Sequence, residues 1–355
     1  MPIPLEGPWI AGTGPDADVV LSSRARIARN VLGFPFVNRM TATQRREVGH
    51  LVRETLQNVE STDDLMWIDL ESIGDLDRRL LVERNLVSSQ LAKASGQRAV
   101  AIAKDESLSV MVNEEDHLRM QLLAAGMQLP SCLRRALDLD DAVERRVDYA
   151  FDRRYGYLTA CPTNVGTGMR LSVMMHLPGL KITGDIDRVR RAAGDMHLAV
   201  RGFHGEGSDA AGDFYQISNQ VTLGVSEEDL LHELGEQIVP RLIAYEREAR
   251  DLLRRRNRAE LEDRVHRALG TLRSARLIDA REAMKLLSRV RLGAWMELLD
   301  DEVDRTALNR LFLQVQPAHV RFGMGEDAPV GTGEEDGERI RARRAELLRT
   351  ALTPS

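Results

Sequence analysis

The stretch Cys161-Pro162-Thr163-Asn164-Val165-Gly166-Thr167-Gly168-Met169-Arg170-Leu171-Ser172-Val173-Met174 joins a glycine-containing turn to an arginine and an apolar run. Glycines let the backbone approach a ligand closely, and successive amides in such a turn can bind an anion. Arg170 adds a planar, permanently charged guanidinium that suits phosphate oxygens. Cys161 lies beside the turn, where a thiol can be activated. Taken alone, the stretch is also typical of an ordinary turn before a helix.

The bulk composition limits the classes of function. The chain has 355 residues, 43% of them apolar and 29% charged, which predicts a globular protein of about two domains. The net charge of −6 gives no broad attraction to nucleic acid or to an anionic membrane. Two cysteines provide neither a disulfide framework nor a zinc site. With no signal peptide and no run of 18 apolar residues, we expect a cytoplasmic protein with no membrane partner, no nucleic-acid partner and no protein-held metal.

The pattern of apolar residues predicts three segments. Residues 1–18 form an irregular arm, 19–257 a mixed domain of strands and helices, and 258–355 a helical domain with a flexible segment at 323–337. The more specific expectations are a strand from Val19 that ends before its arginines, helices over 41–59, 77–94, 132–153 and 226–257, paired strands over 98–104 and 107–112, and a last helix over 338–352.

Two further stretches carry charge in unusual places. Arg24 and Arg26 are two residues apart, so an extended backbone points both to one side, where they repel each other unless an anion lies between them. An exposed basic edge is the alternative.

Asn113-Glu-Glu-Asp-His-Leu-Arg119 follows an apolar strand, and Glu115 is a candidate for binding a cationic or proton-releasing substrate. A solvated loop is the alternative there, and a helix would put Arg119 on the same face as Glu115. We expect His117 to be a structural hydrogen-bonding partner.

A last stretch, Arg201-Gly-Phe-His-Gly-Glu-Gly-Ser208, contains both an arginine and a glutamate, although a surface hairpin explains it equally well. Together the chain offers five arginines near turns, which suits a triphosphate: Arg24, Arg26, Arg119, Arg170 and Arg201. Glu115 and Glu206 would repel phosphate, so they suit a cationic acceptor or its proton. The usual glycine-rich nucleotide loops are absent from the sequence, so a kinase here would bind its nucleotide with arginine side chains.

These segments, in this order, resemble those of the phosphagen (ATP:guanido) kinases, and most closely the bacterial protein-arginine kinases of the McsB type. The matching segments are 21–30, 113–119, 161–168, 201–206, 217–219 and 223–224. The resemblance implies an α+β fold: an antiparallel β-sheet flanked by helices, as in the phosphagen kinase and glutamine synthetase-like catalytic domain, followed by an all-α C-terminal domain.

The resemblance also implies a role for each matching residue. Glu115 and Glu206 would be catalytic, and Cys161 would lie near the acceptor. ATP would be bound with Mg²⁺, the metal being held mainly by phosphates and water. The implied ATP-binding residues are Ser22, Ser23, Arg24, Ala25, Arg26, Arg119, Arg170, Leu171, Ser172, Val173, Met174, Arg201, Gly202, Phe203, His204, Gly205 and Glu206.

The expected acceptor is an arginine side chain in a protein. Kinases of free guanidino metabolites carry a helical domain before the Ser-x-Arg-x-Arg motif, whereas only 21 residues precede Ser22 here. The resemblance further implies substrate marking for a Clp ATPase and protease in stress responses and protein quality control, a zinc-binding activator protein, and a homodimer. The alternatives are a kinase of free arginine or another small guanidino compound, and a non-catalytic adaptor that binds phosphoarginine or a Clp protein.

Three positions differ from the family pattern. Gln90 stands where protein-arginine kinases carry a histidine that contacts the nucleotide, and His204 replaces another residue in the glycine-rich loop. Arg344 and Ala345 match the end of an Arg-Asp-x-x-Arg-Ala motif that forms an allosteric phosphoarginine pocket, but the aspartate is missing. A solvated basic helix is the alternative for this region.

Overall fold

The structure is a computed structural model that describes residues 7–59, 64–202, 211–299, 303–325 and 337–353. Within these ranges the chain forms an eight-stranded antiparallel sheet in the order β2-β3-β4-β5-β1-β8-β10-β9, together with a small β6-β7 ribbon. The strands are β1 (Val20–Arg29), β2 (Leu65–Asp69), β3 (Ala99–Ala103), β4 (Leu108–Val112), β5 (Leu118–Ala125), β6 (Phe151–Asp152), β7 (Gly156–Tyr157), β8 (Met169–His176), β9 (Leu198–Gly202) and β10 (Phe214–Asn219).

Helices flank this sheet and make up the C-terminal part of the chain. A capping box between Thr41 and Gln44 begins the first helix, as its sequence predicts. The helices are α1 (Ala42–Gln57), α2 (Asp75–Glu83), α3 (Ser89–Lys93), α4 (Leu129–Glu144), α5 (Pro178–Thr183), α6 (Ile186–Asp195), α7 (Glu227–Leu230), α8 (Val239–Arg256), α9 (Arg258–Ser274), α10 (Ala280–Trp295), α11 (Arg305–Gln314), α12 (Pro317–Phe322) and α13 (Glu338–Leu352), with a π-helical stretch at Leu231–Ile238 between α7 and α8. The antiparallel sheet with flanking helices and a helical C-terminal region is the expected fold class.

The two faces of the sheet differ because side chains alternate along each strand. Ala25 and Ile27 of β1 are fully buried in the main apolar core, with residues of α1 and α4. Arg24 and Arg26 point to the other face and remain partly accessible. A second apolar core joins Trp9 of the N-terminal arm and Phe214 of β10 to helices α9, α10, α11 and α13. The C-terminal helices therefore share a core with the sheet.

Four sequence-based predictions of secondary structure are wrong. The strand from Val19 does not end before the arginines, because β1 continues through them to Arg29. The helix predicted over 77–94 is two helices, since Asn85 adopts a left-handed φ of 57° between them. The helix predicted over 132–153 ends at Glu144. The turn after Cys161 leads into strand β8 rather than a helix.

The acidic stretch after β4 does not begin a helix. Arg119 is the second residue of β5, so residues 113–117 form the turn between two paired strands. Asn113 has a φ of 58°, and its N–H donates to the carbonyl of His117, which closes the turn. A tight turn between paired strands, and no helix, therefore determines where each carboxylate points.

Helices α8 and α9 are separated by a break at Asn257. The predicted boundary at 257 and the separate arm at 1–18 stay predictions. Of the segment 323–337, residues 326–336 lie outside the described residues. None of the described helices is both long enough and apolar enough to cross a membrane.

Candidate active site

Strand register brings the arginines together. On β1, Arg26 lies directly opposite Arg170 of β8 on one side and Gln121 of β5 on the other. Arg24 lies opposite Ser172 in the same way. Residues directly opposite each other in an antiparallel pair share a face, and like charges in that position destabilise the sheet. The arrangement therefore suits a bound anion.

The arginines open into a cavity of about 210 Å³. Four of them line it: Arg24, Arg26, Arg119 and Arg201. The remaining lining is polar or apolar, apart from one carboxylate, and comprises Val82, Glu83, Asn85, Val87, Ser88, Ser89, Met111, Gln121, Met174 and Gln216. A lining that combines cations with apolar side chains suits a nucleotide, whose polyphosphate is charged and whose base is flat and largely apolar.

Hydrogen bonds hold Arg24 in place across three strands. Its Nε donates to Ser172 Oγ at 3.3 Å, and its Nη1 donates to Gln121 Oε1 at 3.5 Å. Gln216 of β10 donates to the same Ser172 hydroxyl at 3.1 Å. Burial, together with the charges of Arg119, Arg170 and Arg201, lowers the pKa of Arg24 to about 9. The guanidinium is thus oriented by neutral partners, and no carboxylate of the described residues pairs with it.

The electrostatic environment of Arg26 is less favourable to its positive charge than that of Arg24. Burial lowers its pKa well below the ordinary value, and the charges of Arg119, Arg24 and Arg170 lower it further. Its Nε is buried without a hydrogen-bond partner among the described residues. A guanidinium that is both crowded by cations and unsatisfied is stabilised by an anionic ligand.

Some residues that the resemblance assigns to the nucleotide face away from it. The side chains of Ala25, Leu171 and Val173 are buried in the main core, on the opposite side of the sheet. The Ser23 hydroxyl donates to the carbonyl of Gly126 at 2.8 Å and accepts from the N–H of Gln128. These four side chains are not part of the cavity lining.

Of the other residues that the resemblance assigns to the nucleotide, some lie near the cavity arginines and others lie outside the described residues. Ser22 shares the face of the arginines but is 6% exposed, opposite Met174, and Gly202 ends β9 next to Arg201. Gln90 lies exposed on α3, close in sequence to the cavity residues Ser88 and Ser89. Phe203, His204, Gly205 and Glu206 lie outside the described residues.

The carboxylate that pairs with Arg119 is Glu114, whereas Glu115 would share its face only in a helix. Arg119 Nη1 donates to Glu114 Oε1 at 2.6 Å, and Ser88 Oγ donates to the same oxygen at 2.5 Å. Burial alone would raise the pKa of Glu114, but Arg119, Ser88 and the N–H of Glu115 hold it below its usual range. The alternative of a solvated acidic loop does not describe Glu114, which is 8% exposed.

The rest of this turn is also built into the interior. Asp116 accepts hydrogen bonds from Asn30 Nδ2 at 2.6 Å and from the N–H of Ala160 at 2.7 Å. His117 Nδ1 accepts from the N–H of Val31, while its Nε2 donates to the carbonyl of Pro35. His117 is therefore a neutral structural partner, as expected, and burial keeps its pKa below the ordinary value.

Glu115, between the buried Glu114 and Asp116, is the half-buried carboxylate of this turn. Burial and the neighbouring charges of Asp116 and Glu114 raise its pKa. The thiol of Cys161 donates a hydrogen bond to it, which partly opposes that shift. The structure thus places together Glu115 and Cys161, which the resemblance assigned to the acceptor. A partly desolvated carboxylate of raised pKa can take a proton.

Hydrogen bonds from the segment after β10 fix the loop that carries Cys161. Thr222 Oγ1 donates to the carbonyls of Thr163 and Val165 at 2.9 and 2.8 Å, and the Thr222 carbonyl accepts from the N–H of Thr167 at 3.0 Å. Gly166 has a φ of 113°, and a Cβ there would lie 2.1 Å from the Thr222 oxygen. Only glycine fits this close approach.

Sequence reasoning missed Gln121 and Gln216, two uncharged polar residues of the cavity lining. Gln121 lies two residues after Arg119 on an otherwise apolar strand, and that alternation was the available signal.

Near the C-terminus, Arg344 is fully buried and donates to the carbonyls of Val315 and Ile278 at 2.6 and 3.0 Å. Ala345 is buried as well. The Arg344 side chain therefore connects α13 to the segments at Val315 and Ile278 inside the protein. The alternative of a solvated basic helix does not describe this residue.

A second cavity of about 560 Å³ lies between α6 and α8, with Met196 and Tyr245 in its mainly apolar lining. It is larger than the arginine-lined cavity but contains no comparable convergence of cations. Binding and transfer of a phosphoryl group need charge matching. The smaller cavity is therefore the candidate active site.

Comparison with known protein families agrees with this geometry. The model of the ATP:guanido phosphotransferase C-terminal catalytic domain matches residues 47–249, and that of the protein-arginine kinase McsB C-terminal domain matches residues 258–354. The protein-arginine kinase of Moorella thermoacetica is 46% identical over 90% of this chain and 91% of its own length. The protein-arginine kinase of Symbiobacterium thermophilum is 44% identical over 98% and 97%.

Solved structures show the same fold. The duplicated taurocyamine kinase from Schistosoma mansoni, with bound transition-state analogue components, has a TM-score of 0.58 and 26% identity over 63% of this chain and 32% of that one. A lombricine kinase has a TM-score of 0.59 and 24% identity over 67% and 68%. The chain belongs to the ATP:guanido phosphotransferase family. Within that family it groups with the protein-arginine kinases.

Proposed function

We propose that this protein transfers the γ-phosphoryl group of ATP to arginine side chains of other proteins. The observation that carries the proposal is the pair of arginines facing each other across β1 and β8, Arg26 and Arg170, together with Glu115 in the turn between β4 and β5. The arginines match a polyanion, and the carboxylate matches a cation. An ATP:guanido phosphotransfer brings these two charges together.

The phosphate side of the site is supplied by arginines. Arg24, Arg26, Arg119, Arg170 and Arg201 would neutralise the triphosphate and the charge that spreads over the transferring group. Mg²⁺ would enter with the nucleotide and be held by phosphate oxygens and water, because Glu83, the one carboxylate that the described residues contribute to the lining, already accepts from the N–H groups of Ala318 and His319. Met174 and Val87 would provide apolar contact for the base.

The acceptor side depends on carboxylates. A guanidinium has a very high pKa and is a weak nucleophile. Glu115 would accept hydrogen bonds from it, align one nitrogen with the γ-phosphorus and take a proton as the N–P bond forms. Cys161 would border the same position through its hydrogen bond to Glu115. Glu206, outside the described residues, is proposed as the second carboxylate that holds the acceptor.

We further propose the biological setting that the resemblance implies. The protein would act in the cytoplasm as a homodimer, respond to a zinc-binding activator protein, and mark proteins for a Clp ATPase and protease in stress responses and quality control. A domain boundary near residue 257 belongs to the same proposal. The curated relatives carry the name protein-arginine kinase, which supports the choice of protein acceptors over free metabolites.

The test uses the purified chain with MgATP and two acceptors in parallel, unfolded casein and free L-arginine. Phosphorus NMR and mass spectrometry at neutral pH would detect an acid-labile N–P bond. Phosphoarginine in casein that disappears in Glu115→Ala supports the proposal. The matched control, Glu47→Ala, removes an exposed carboxylate of α1 and should leave the rate unchanged. Phosphorylation of free arginine only would contradict protein substrates, and ATP binding without transfer would favour the adaptor.

A further inference from the structure

A buried polar cluster lies where helix α10 of the C-terminal region meets the ends of the central strands. Ser288 and Arg291 of α10 and His176, the last residue of β8, have no exposed surface. Asp213, which is partly buried, immediately precedes β10. Buried polar groups require hydrogen-bond partners, so the bonds in this cluster can be followed one at a time.

The hydrogen bonds between these four side chains run in one direction. Arg291 Nη1 donates to His176 Nδ1 at 2.7 Å, so the ring proton must lie on Nε2. His176 Nε2 donates to Ser288 Oγ at 2.9 Å, and Ser288 Oγ donates to Asp213 Oδ2 at 2.6 Å. Burial and the charges of Arg291 and Arg250 lower the pKa of His176 well below its ordinary value, which keeps the ring neutral. We call this chain of hydrogen bonds, from Arg291 through His176 and Ser288 to Asp213, the relay. Its donors and acceptors allow only one orientation.

The guanidinium of Arg291 also fixes the segment that leads into β1. Its Nη2 donates to the carbonyl of Ala17 at 2.6 Å, and its Nη1 donates to that of Asp18 at 3.0 Å. Its Nε donates to Asn309 of α11 at 2.9 Å. One side chain of α10 thus connects the start of β1, the end of β8 and a second C-terminal helix.

The three strands held in this way are among those that form the arginine-bearing face, to which β5 and β9 also contribute. β1 carries Arg24 and Arg26, β8 carries Arg170 and Ser172, and β10 carries Gln216. Bringing Arg26 opposite Arg170 is electrostatically unfavourable without an anion. A rigid attachment at the far end of the strands maintains their register while the site is empty, and such preorganisation favours charge stabilisation during transfer.

We propose that Ser288 and Arg291 are positioning residues for phosphoryl transfer: through His176 and Asp213 they hold β1, β8 and β10 in the register that aligns the phosphate-binding arginines. The inference rests on the proposed function, because it assigns those arginines to the phosphates of ATP. It makes α10, in the C-terminal region, a structural support of the active site.

The experiment compares Ser288→Ala with Val290→Ala in the full-length chain. Ser288→Ala removes the hydroxyl that connects His176 to Asp213. Val290→Ala removes apolar contacts of the same buried helix but no relay group. We measure Tm, the ATP Kd by calorimetry, and kcat and KM for ATP with casein as acceptor. Small displacements of catalytic groups can cost about 100-fold in rate, and we expect kcat of Ser288→Ala to fall by about tenfold. Its ATP Kd should rise by about fivefold, and Val290→Ala should lower Tm at least as much while keeping both values.

If Ser288→Ala does not fold, Asp213→Asn replaces it, since that change weakens the last acceptor of the relay; it also removes the charge that pairs with the exposed Lys181. Wild-type kcat and ATP Kd in the relay variant would overturn the inference. An equal loss of kcat in Val290→Ala at matched Tm would also overturn it, because stability alone would then explain the effect. A wild-type chain that binds ATP but phosphorylates no arginine contradicts the proposed function, and the ATP Kd values still decide the inference.

Discussion

Two arginines on β1 have opposite energetic roles although they are three residues apart. Arg29 is fully buried and pairs with Asp140 at 2.5 Å, while the ring of Tyr157 lies 3.5 Å from its guanidinium carbon. Arg26 has cations around it and a buried Nε without a hydrogen-bond partner among the described residues. The first arginine stabilises the fold, whereas burial and neighbouring cations make the second unfavourable in the ligand-free protein.

This contrast predicts different effects of the same substitution. Arg26→Met should raise the free energy of unfolding of the ligand-free protein by about 1 kcal/mol, since it removes repulsion at a functional site. Arg29→Met should lower it by about 3–5 kcal/mol, because Asp140 is left buried without its partner. Denaturant unfolding with and without MgADP measures both, and Arg26→Met should also lose most of the stabilisation by nucleotide. Equal destabilisation by the two variants would show that Arg26 is not electrostatically stressed.

The hydrogen bond from Cys161 to Glu115 predicts a shift in the pH dependence. A donor to the ionised carboxylate lowers its pKa, so Cys161→Ala should raise the pKa of Glu115 further above its usual value. Glu115 accepts a proton only when ionised, and the acid limb of kcat/KM should therefore move to higher pH while the plateau changes little. Rates with casein from pH 5 to 9 measure the shift. Cys132→Ala, a buried thiol in the main core, is the control, and an unmoved limb in Cys161→Ala would exclude the contact.

At the level of elements, the turn before β8 depends on glycine for a steric reason. A Cβ on Gly166 would overlap the Thr222 carbonyl, whereas a Cβ on Gly224 meets no atom within 4 Å although its φ of 78° is also left-handed. Both positions carry backbone strain when substituted, but only the first carries a clash. Comparing alanine substitutions at Gly166 and Gly224 therefore separates the effect of the steric clash from the effect of backbone strain.

We therefore expect Gly166→Ala to reduce kcat by at least tenfold, because the loop must move away from Thr222 and takes Cys161 with it. Gly224→Ala should cost about 1 kcal/mol of stability from its φ alone and leave kcat unchanged. Thermal unfolding and casein phosphorylation at a temperature below both transitions measure the two effects. If both variants lose the same activity, backbone strain rather than the clash governs the loop.

The elements also show what the sequence could predict. The order of the motifs and the spacing of Arg24 and Arg26 predicted one shared face, which the register of β1 confirms. The partner of Arg119 was not predictable, because it depends on the left-handed φ of Asn113 and on the direction of β5. The relay through His176 was equally hidden, since Arg291 follows it by 115 positions and no motif connects them. Long-range contacts of this kind need the tertiary structure.

At the level of the whole molecule, the sheet and the C-terminal helices form one packed unit. Glu83, in the cavity wall, accepts from the first N–H groups of α12 and from His319 Nδ1 at 2.7 Å. At the other end of the cavity face, Arg291 and Ser288 hold the central strands. The helical region therefore supports the candidate active site from two sides, although its sequence contains none of the proposed catalytic residues.

The central position of β1 also has a consequence for synthesis of the chain. β1 is the first strand made, yet Ser23 contacts Gly126, 103 positions later, and Arg24 contacts Ser172, 148 positions later. Pairing between such distant segments makes folding slow, and an apolar strand that waits on the ribosome can aggregate. Arg24, Arg26 and Arg29 interrupt that strand with charges, as gatekeeper residues do. The arginines of the candidate site thus also protect the unfinished chain before there is any cavity for ATP.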